Sequence, residues 1–373
     1  MRWSLQVGRL FGIPIRIHIL FFALPLLVAL SDARTGGVRA GVLGALLILA
    51  LFGCVVLHEL GHSLVARRYG VRVASITLLP IGGVAAMDRI PEDPDQELTI
   101  AIAGPLVNMG IAAVLYILMQ AISPGQRLTL SPHMPFLPKM VLLNVALAVF
   151  NLVPAFPMDG GRILRALLAT RINYARATGI AASIGRLTAF GFGALAILPL
   201  LLGLPFNPLL LLIALFVYVG ATQEERAVRI RAMMRDVPVS YAMSQSFGVA
   251  TPWETVGAVL GRAAQTYQRD FLVTTQEGRL AGILTHDLLA NALQERGPMT
   301  PVTDVLRTDY PLVSPYDSLL KTHEIMVERQ VGAVPVVYMD RVVGVLTGES
   351  IGNYFLAVSR PSHGAHGGWG LAV

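Results

Sequence analysis

The sequence predicts a polytopic α-helical membrane protein of about six transmembrane helices with a short β-hairpin or sheet insertion, followed by a soluble α/β domain. Three observations carry this reading. First, of 373 residues 54% are hydrophobic and only 14% charged, with a mean hydropathy of +0.62, outside the balance of a soluble globular chain. Second, several apolar stretches approach or reach the roughly 20 residues that span a hydrocarbon core as a helix. Third, the composition turns to mixed polar and apolar after Arg235, as expected of a soluble domain of about a hundred residues or more.

The expected spans run from Ile17 to Leu30, Val42 to Leu57, Leu98 to Ile122, Pro138 to Phe156, Ile180 to Leu202 and Pro208 to Val219. The last two also read as a re-entrant pair, because Pro199, Pro205 and Pro208 crowd the turn between them. Arginines follow the second span (Arg67, Arg68, Arg72), the fourth (Arg162, Arg165, Arg171) and the sixth (Arg226, Arg229, Arg231). Together with Arg2, Arg9 and Arg16 they place both termini in the cytoplasm of a multi-pass cell-membrane protein. The first apolar stretch resembles a secretory signal but lacks a small-residue cleavage site before Ser31, so it reads as retained. Val71 to Met87, β-branched and carrying Gly82-Gly83, reads as a hairpin whose edge offers pairing to an extended peptide; the plainer alternative is a connecting loop.

The net charge of +6 belongs to helix flanks and not to a nucleic-acid face, because no aromatic-interleaved basic patch accompanies it. Cys54 is the one cysteine, which excludes an internal disulfide and a cysteine-based zinc site. A metal would have to be held by histidines and carboxylates. His58-Glu59-Leu60-Gly61-His62 supplies two of them: on a helix this HExxH pattern sets both imidazoles on one face, a turn apart, beside a glutamate that serves as a base. A solvated face is the alternative in soluble proteins, but here the motif continues an apolar helix, where ionisable groups are costly. A catalytic zinc takes a third protein ligand. Asp159 is the candidate, closing Asn151-Leu152-Val153-Pro154-Ala155-Phe156-Pro157-Met158-Asp159-Gly160-Gly161, where prolines break the helix and glycines allow close approach. The alternative is an Asp-Gly turn. Cys54, one turn before His58, reads as a small buried apolar residue. His18, His133, His286 and His323 have no partner at metal spacing and read as structural or solvent-facing.

The HExxH span and the Asn-Leu-Val-Pro-Ala-Phe-Pro-Met-Asp-Gly-Gly run together resemble the site-2 protease family of intramembrane zinc metalloproteases. Ala103-Gly104-Pro105 with Asn108, and Gly12-Ile13-Pro14, extend the likeness over roughly residues 1 to 225. The resemblance implies one zinc ion held by His58, His62 and Asp159, with Glu59 as catalytic base. It also matches Asn151 to the family asparagine, whose amide would donate to the developing oxyanion; an interhelical hydrogen bond is the alternative. Asn108 reads as structural. The implied substrate is a single-span membrane protein, such as an anti-sigma factor or a membrane-tethered regulator, unwound locally and cleaved in or near its transmembrane segment.

The soluble domain repeats itself. Val239-Ser240-Tyr241-Ala242-Met243 parallels Val302-Thr303-Asp304-Val305-Leu306, and Gly282-Ile283-Leu284-Thr285 parallels Gly344-Val345-Leu346-Thr347. Each copy reads helix, strand, strand, helix, and the pair resembles a tandem CBS module. That likeness implies an adenine nucleotide at the cleft, a regulatory role and a homodimer. Asp287 and Glu349 depart from the pattern, lying two residues after Thr285 and Thr347 where the family has three. Nucleotide binding and a ligand-free regulatory or dimerising role therefore stay open. The expected domains are 1–225 (membrane protease), 226–238 (linker), 239–356 (CBS pair) and 357–373 (a disordered tail containing His363 and His366). A CBS-regulated ion or metal transporter, or a silent membrane scaffold, is the competing reading. The first is opposed by the HExxH glutamate and by the lack of an inverted repeat of spans, the second by the intact motif.

Overall fold

The computed structural model describes residues 3–87, 91–129, 134–201, 203–266 and 270–359. The chain divides into two compact units, Met1–Arg229 and Ile230–Val373.

The first unit opens on strands that were not expected. β1 (Ser4–Leu10) and β2 (Ile13–His18) form an antiparallel hairpin, turned by Phe11 and Gly12 at positive φ. The alternation of Ile13, Ile15 and Ile17 with Pro14, Arg16 and His18 is the period of a half-buried strand, so Ile17 belongs to β2 and the first helix starts later. α1 (Ala23–Arg68) follows. It is not one rod: Gly37 leaves helical geometry at φ 74° and ψ 179°, a combination open essentially to glycine. A methyl group on Gly41 would lie 2.9 Å from Ala33 Cβ, and one on Gly44 3.1 Å from Val28 Cγ1. A straight helix would hold residues 28 and 44 about 24 Å apart, so the two arms fold back on each other. They correspond to the first two expected spans.

β3 (Val73–Leu79) and β4 (Gly82–Met87) form the expected hairpin. β3 pairs in parallel with β2, giving a four-stranded sheet in the order β1-β2-β3-β4 with β4 at an open edge. Ile13, Ile15, Ile76 and Leu78 of the sheet pack with Phe52, Val56 and Leu60 of α1. That core lays the sheet along the arm that carries the HExxH residues.

α2 (Pro94–Ile122) starts on an Asp93 cap. α3 (Phe136–Asn151) stops short of the expected Phe156, because Pro154 and Pro157 lack the donors that would continue it. A compact turn follows, with a cis Phe156–Pro157 bond, and α4 (Asp159–Ala169) begins at Asp159 itself. α5 (Tyr174–Leu201) and α6 (Pro208–Arg235) complete the helices; α6 continues well beyond the expected Val219. Four helices among the described residues are long and apolar enough to cross a membrane, and α3 is shorter.

The second unit contains α7 (Val239–Ala242), β5 (Gly248–Ala250), α8 (Val256–Thr266), β6 (Phe271–Thr274), β7 (Leu280–Leu284) and α9 (His286–Arg296). The second copy supplies α10 (Leu319–Glu328), β8 (Ala333–Tyr338), β9 (Arg341–Thr347) and α11 (Gly348–Ser359). Both copies thus show the expected helix, strand, strand, helix. Their leading segments are exchanged: Ser244 pairs with Val345, and Arg307 with Ile283. Met243 packs where Gly344 has no side chain, and Leu306 where Gly282 has none, which explains why those positions repeat in the sequence. Leu272, Ile283, Ala333 and Val345 form the apolar contact between the copies. α11 runs through Ser359, and the remainder of the expected tail, with His363 and His366, lies outside the described residues, as does His133.

Candidate metal centre

His58 and His62 lie on the second arm of α1, one turn apart, and Asp159 is the first residue of α4. All three are at least nine-tenths buried. Their ligating atoms converge: His58 Nε2 is 3.1 Å from His62 Nε2, and Asp159 Oδ2 is 3.2 Å from each. This is the one cluster of three or more potential metal ligands among the described residues.

The neighbouring helices decide which nitrogen of each ring is free. The Ile100 carbonyl lies 2.6 Å from His62 Nδ1; a carbonyl only accepts, so Nδ1 carries the proton. For His58 the same conclusion follows through two amides. The Met140 carbonyl must take the Nδ2 of Asn144, at 2.9 Å, which turns Asn144 Oδ1 toward Asn108 Nδ2, at 3.0 Å. Asn108 is left with Oδ1 facing His58 Nδ1, at 2.6 Å, so that nitrogen donates too. Both Nε2 atoms therefore point lone pairs into the cluster, beside a carboxylate oxygen.

Three electron-rich atoms about 3 Å apart repel one another. A proton on one Nε2 would serve only part of the cluster, whereas a divalent cation at its centre serves all three atoms. The separations also fit zinc: ligands at about 2.0–2.1 Å in a tetrahedral arrangement stand about 3.3 Å apart. Two imidazoles and one carboxylate leave one position of a tetrahedron open, which is the donor set of a catalytic rather than a structural site.

Glycines make the convergence possible. A methyl group on Gly104 of α2 would overlap both imidazole rings, and methyl groups on Gly160 and Gly161 would strike the backbone of the turn before Asp159. Glu59 is half-buried and faces β4: a methyl group on Gly83 would stand 2.7 Å from Glu59 Cγ. Glu59 thus lies under the face of β4, the edge strand of the sheet.

Asn151, at the end of α3, is not joined to the cluster by any described hydrogen bond. Its Nδ2 donates to the Leu147 carbonyl, 3.0 Å away in its own helix. Cys54 is buried with its sulfur 3.5 Å from Asn144 Nδ2, outside the ligand set. His18 caps the turn of residues 19–22 by accepting from Leu20 N–H. Neither Asn144, which fixes the Asn108 amide, nor the Ile100 carbonyl, which meets His62 Nδ1, stands in a motif of the sequence. The signal was available for Asn144, since an asparagine inside an apolar helix is costly without a partner; no side-chain pattern marks a backbone carbonyl. In the second unit Thr285 and Thr347 accept from Leu288 and Ser350 N–H at the starts of α9 and α11, with Asp287 and Glu349 in those first turns.

Membrane-length helices around a buried His-His-Asp cluster, next to a glutamate at the edge of a sheet, define a membrane-embedded metallopeptidase. Comparison with known proteins agrees. The profile of peptidase family M50 matches residues 46–192, and that of the CBS domain residues 302–355. A zinc metalloprotease of Methanocaldococcus jannaschii is 43% identical over 254 residues, covering 68% of this chain and 69% of that one. A Synechocystis protein provisionally named a zinc metalloprotease is 30% identical over 374 residues, covering 94% and 95%. Among solved structures, the site-2 protease from M. jannaschii is 45% identical, covers 60% of this chain and 96% of that one, and superposes with a TM-score of 0.45. The chain belongs to peptidase family M50.

Proposed function

We propose that this protein is an intramembrane zinc endopeptidase that cuts membrane-tethered proteins in or near a transmembrane segment, with His58, His62 and Asp159 as the zinc ligands and Glu59 as the catalytic base. The observation that carries the reading is the convergence of two imidazole lone pairs and a carboxylate oxygen at 3.1–3.2 Å, inside the protein. When bound, zinc supplies a Lewis acid that acidifies water and polarises a peptide carbonyl.

The chain's own groups do the rest. Glu59 takes a proton from the attacking water and returns it to the leaving amide nitrogen. β4 is the last strand of the sheet, with Glu59 under its face, and its edge suits an extended peptide, whose backbone groups would pair there as an added strand. This matters because a transmembrane helix hides its carbonyls, and unwinding it in lipid costs several kcal/mol for each unsatisfied group, on the order of the desolvation of an amide. Strand pairing offsets that cost. Asn151 gives one amide hydrogen to the Leu147 carbonyl and keeps a second, the donor it would offer to a developing oxyanion. The arginines at residues 67, 68, 226, 229 and 231 favour cytoplasmic termini, and modulation of cleavage by the CBS pair is part of this reading.

Purified chain and its Glu59→Gln variant, each offered a single-span substrate in detergent or liposomes, test the assignment. Cleavage by the native chain and none by the variant, with equal zinc content, is the expected result. Turnover by Glu59→Gln would refute the base; zinc flux into liposomes without cleavage would favour a transporter.

A further inference from the structure

Arg165 lies on α4, six residues after Asp159, and has no exposed surface. Its Nε donates to Glu97 Oε1 of α2 at 2.9 Å, its Nη2 bonds the same oxygen, and its Nη1 donates to Glu224 Oε1 of α6 at 2.7 Å. The Phe156 and Tyr174 rings each stand 4.9 Å from the guanidinium carbon. Glu97 is equally buried, and its second oxygen has no hydrogen-bond partner among the described residues. Burying this carboxylate is tolerable only because Arg165 meets it, and the reverse holds for the arginine.

The position of Glu97 gives the pair a meaning beyond charge balance. Along α2, Glu97 is followed by Ile100, whose carbonyl orients His62, by Gly104, which makes room for both imidazoles, and by Asn108, which orients His58. Steps of three and four residues put all of these on one face of the helix. That face holds the two histidines directly and, through Arg165, grips the helix that begins with Asp159. The described polar contacts of the Asp159 carboxylate are only with the two imidazole nitrogens that share the cluster, and nothing else described orients it.

We propose that Arg165 is the positioning residue of Asp159: by locking α4 to the histidine-bearing face of α2 and to α6, it holds the carboxylate at metal-ligating distance. This rests on the metal-site reading above. Lysine carries the charge but not the planar fork that engages two carboxylates at once. Replacement of a buried charged triad by apolar or neutral groups of similar volume is often neutral for stability, which permits a test that separates placement from folding.

The full chain, Arg165→Lys, and a triple variant combining Arg165→Met, Glu97→Met and Glu224→Gln would be compared for helix content, thermal midpoint and zinc affinity by chelator competition. The expected result is a triple variant with native helix content and midpoint that binds zinc about 10- to 100-fold more weakly, with Arg165→Lys between the two. A role confined to stability would move the midpoint and leave the affinity alone. Native zinc affinity in the folded triple variant would overturn the proposal; if that variant fails to fold, native affinity in Arg165→Lys would do so instead. A native chain that binds no zinc would overturn the metal-site reading and this proposal with it, whereas zinc bound equally by native and variants would overturn this proposal alone.

Discussion

Asn108 is held by Asn144 on one side and faces His58 on the other, so Asn108→Ala would leave the His58 Nδ1 proton without a partner and the ring free to turn. The expected cost is about 10- to 100-fold in zinc affinity, read by chelator competition on the folded variant; unchanged affinity would remove Asn108 from the site. Gly104→Ala should act more severely. Its methyl group would occupy the space of both imidazole rings, and metal analysis should find less than stoichiometric zinc in an otherwise helical protein. His58, Glu59 and His62 were legible because helical geometry alone fixes their spacing. Asp159, 97 residues away from His62, was legible only through the proline and glycine chemistry around it and the family resemblance that run carries. Asn144, Glu97 and Arg165 were not singled out as partners, because which polar groups meet depends on how helices are rotated against each other, and a single sequence does not state that rotation.

The break in α1 turns on one residue. Gly37 holds a backbone conformation that a side chain opposes at a cost on the order of 1–3 kcal/mol, so Gly37→Val should lower the thermal midpoint and weaken the return of the first arm. A midpoint equal to that of the native chain would show that the turn tolerates a Cβ. The presence of the two arms of α1 and of α2 is readable from apolar length, though not the start or end of α1, and the β3-β4 hairpin from its β-branched run and glycine pair. The β1-β2 hairpin is hidden in the sequence, although the alternation around Arg16 carries it, because an apolar stretch beginning at Ile17 also fits the start of a membrane helix. Apolar length alone carries α3 past its true end at Asn151 for a similar reason: hydrophobicity persists through Phe156, while the prolines that stop hydrogen bonding act several residues earlier. Helix ends follow donors and acceptors, and these leave a weaker trace in composition than burial does.

The two units have separate cores, and every candidate zinc ligand lies in the first. Leu289, fully buried in the core of the second unit, should therefore be replaceable by alanine at a cost of about 2–5 kcal/mol to that unit with no change in zinc content. Loss of zinc in Leu289→Ala would show that the metal centre depends on the CBS pair. The tandem repeat was legible at the level of elements, and the structure adds its physical cause, the reciprocal exchange of Met243 and Leu306 into the gaps at Gly344 and Gly282. The most direct measurement of the central claim is metal analysis with X-ray absorption at the zinc edge on the purified chain. The expected result is one zinc ion per chain with two imidazole nitrogens and one carboxylate oxygen at about 2.0–2.2 Å, and loss of the oxygen ligand in Asp159→Ala. A chain without bound zinc, or a zinc shell unchanged by Asp159→Ala, would contradict it.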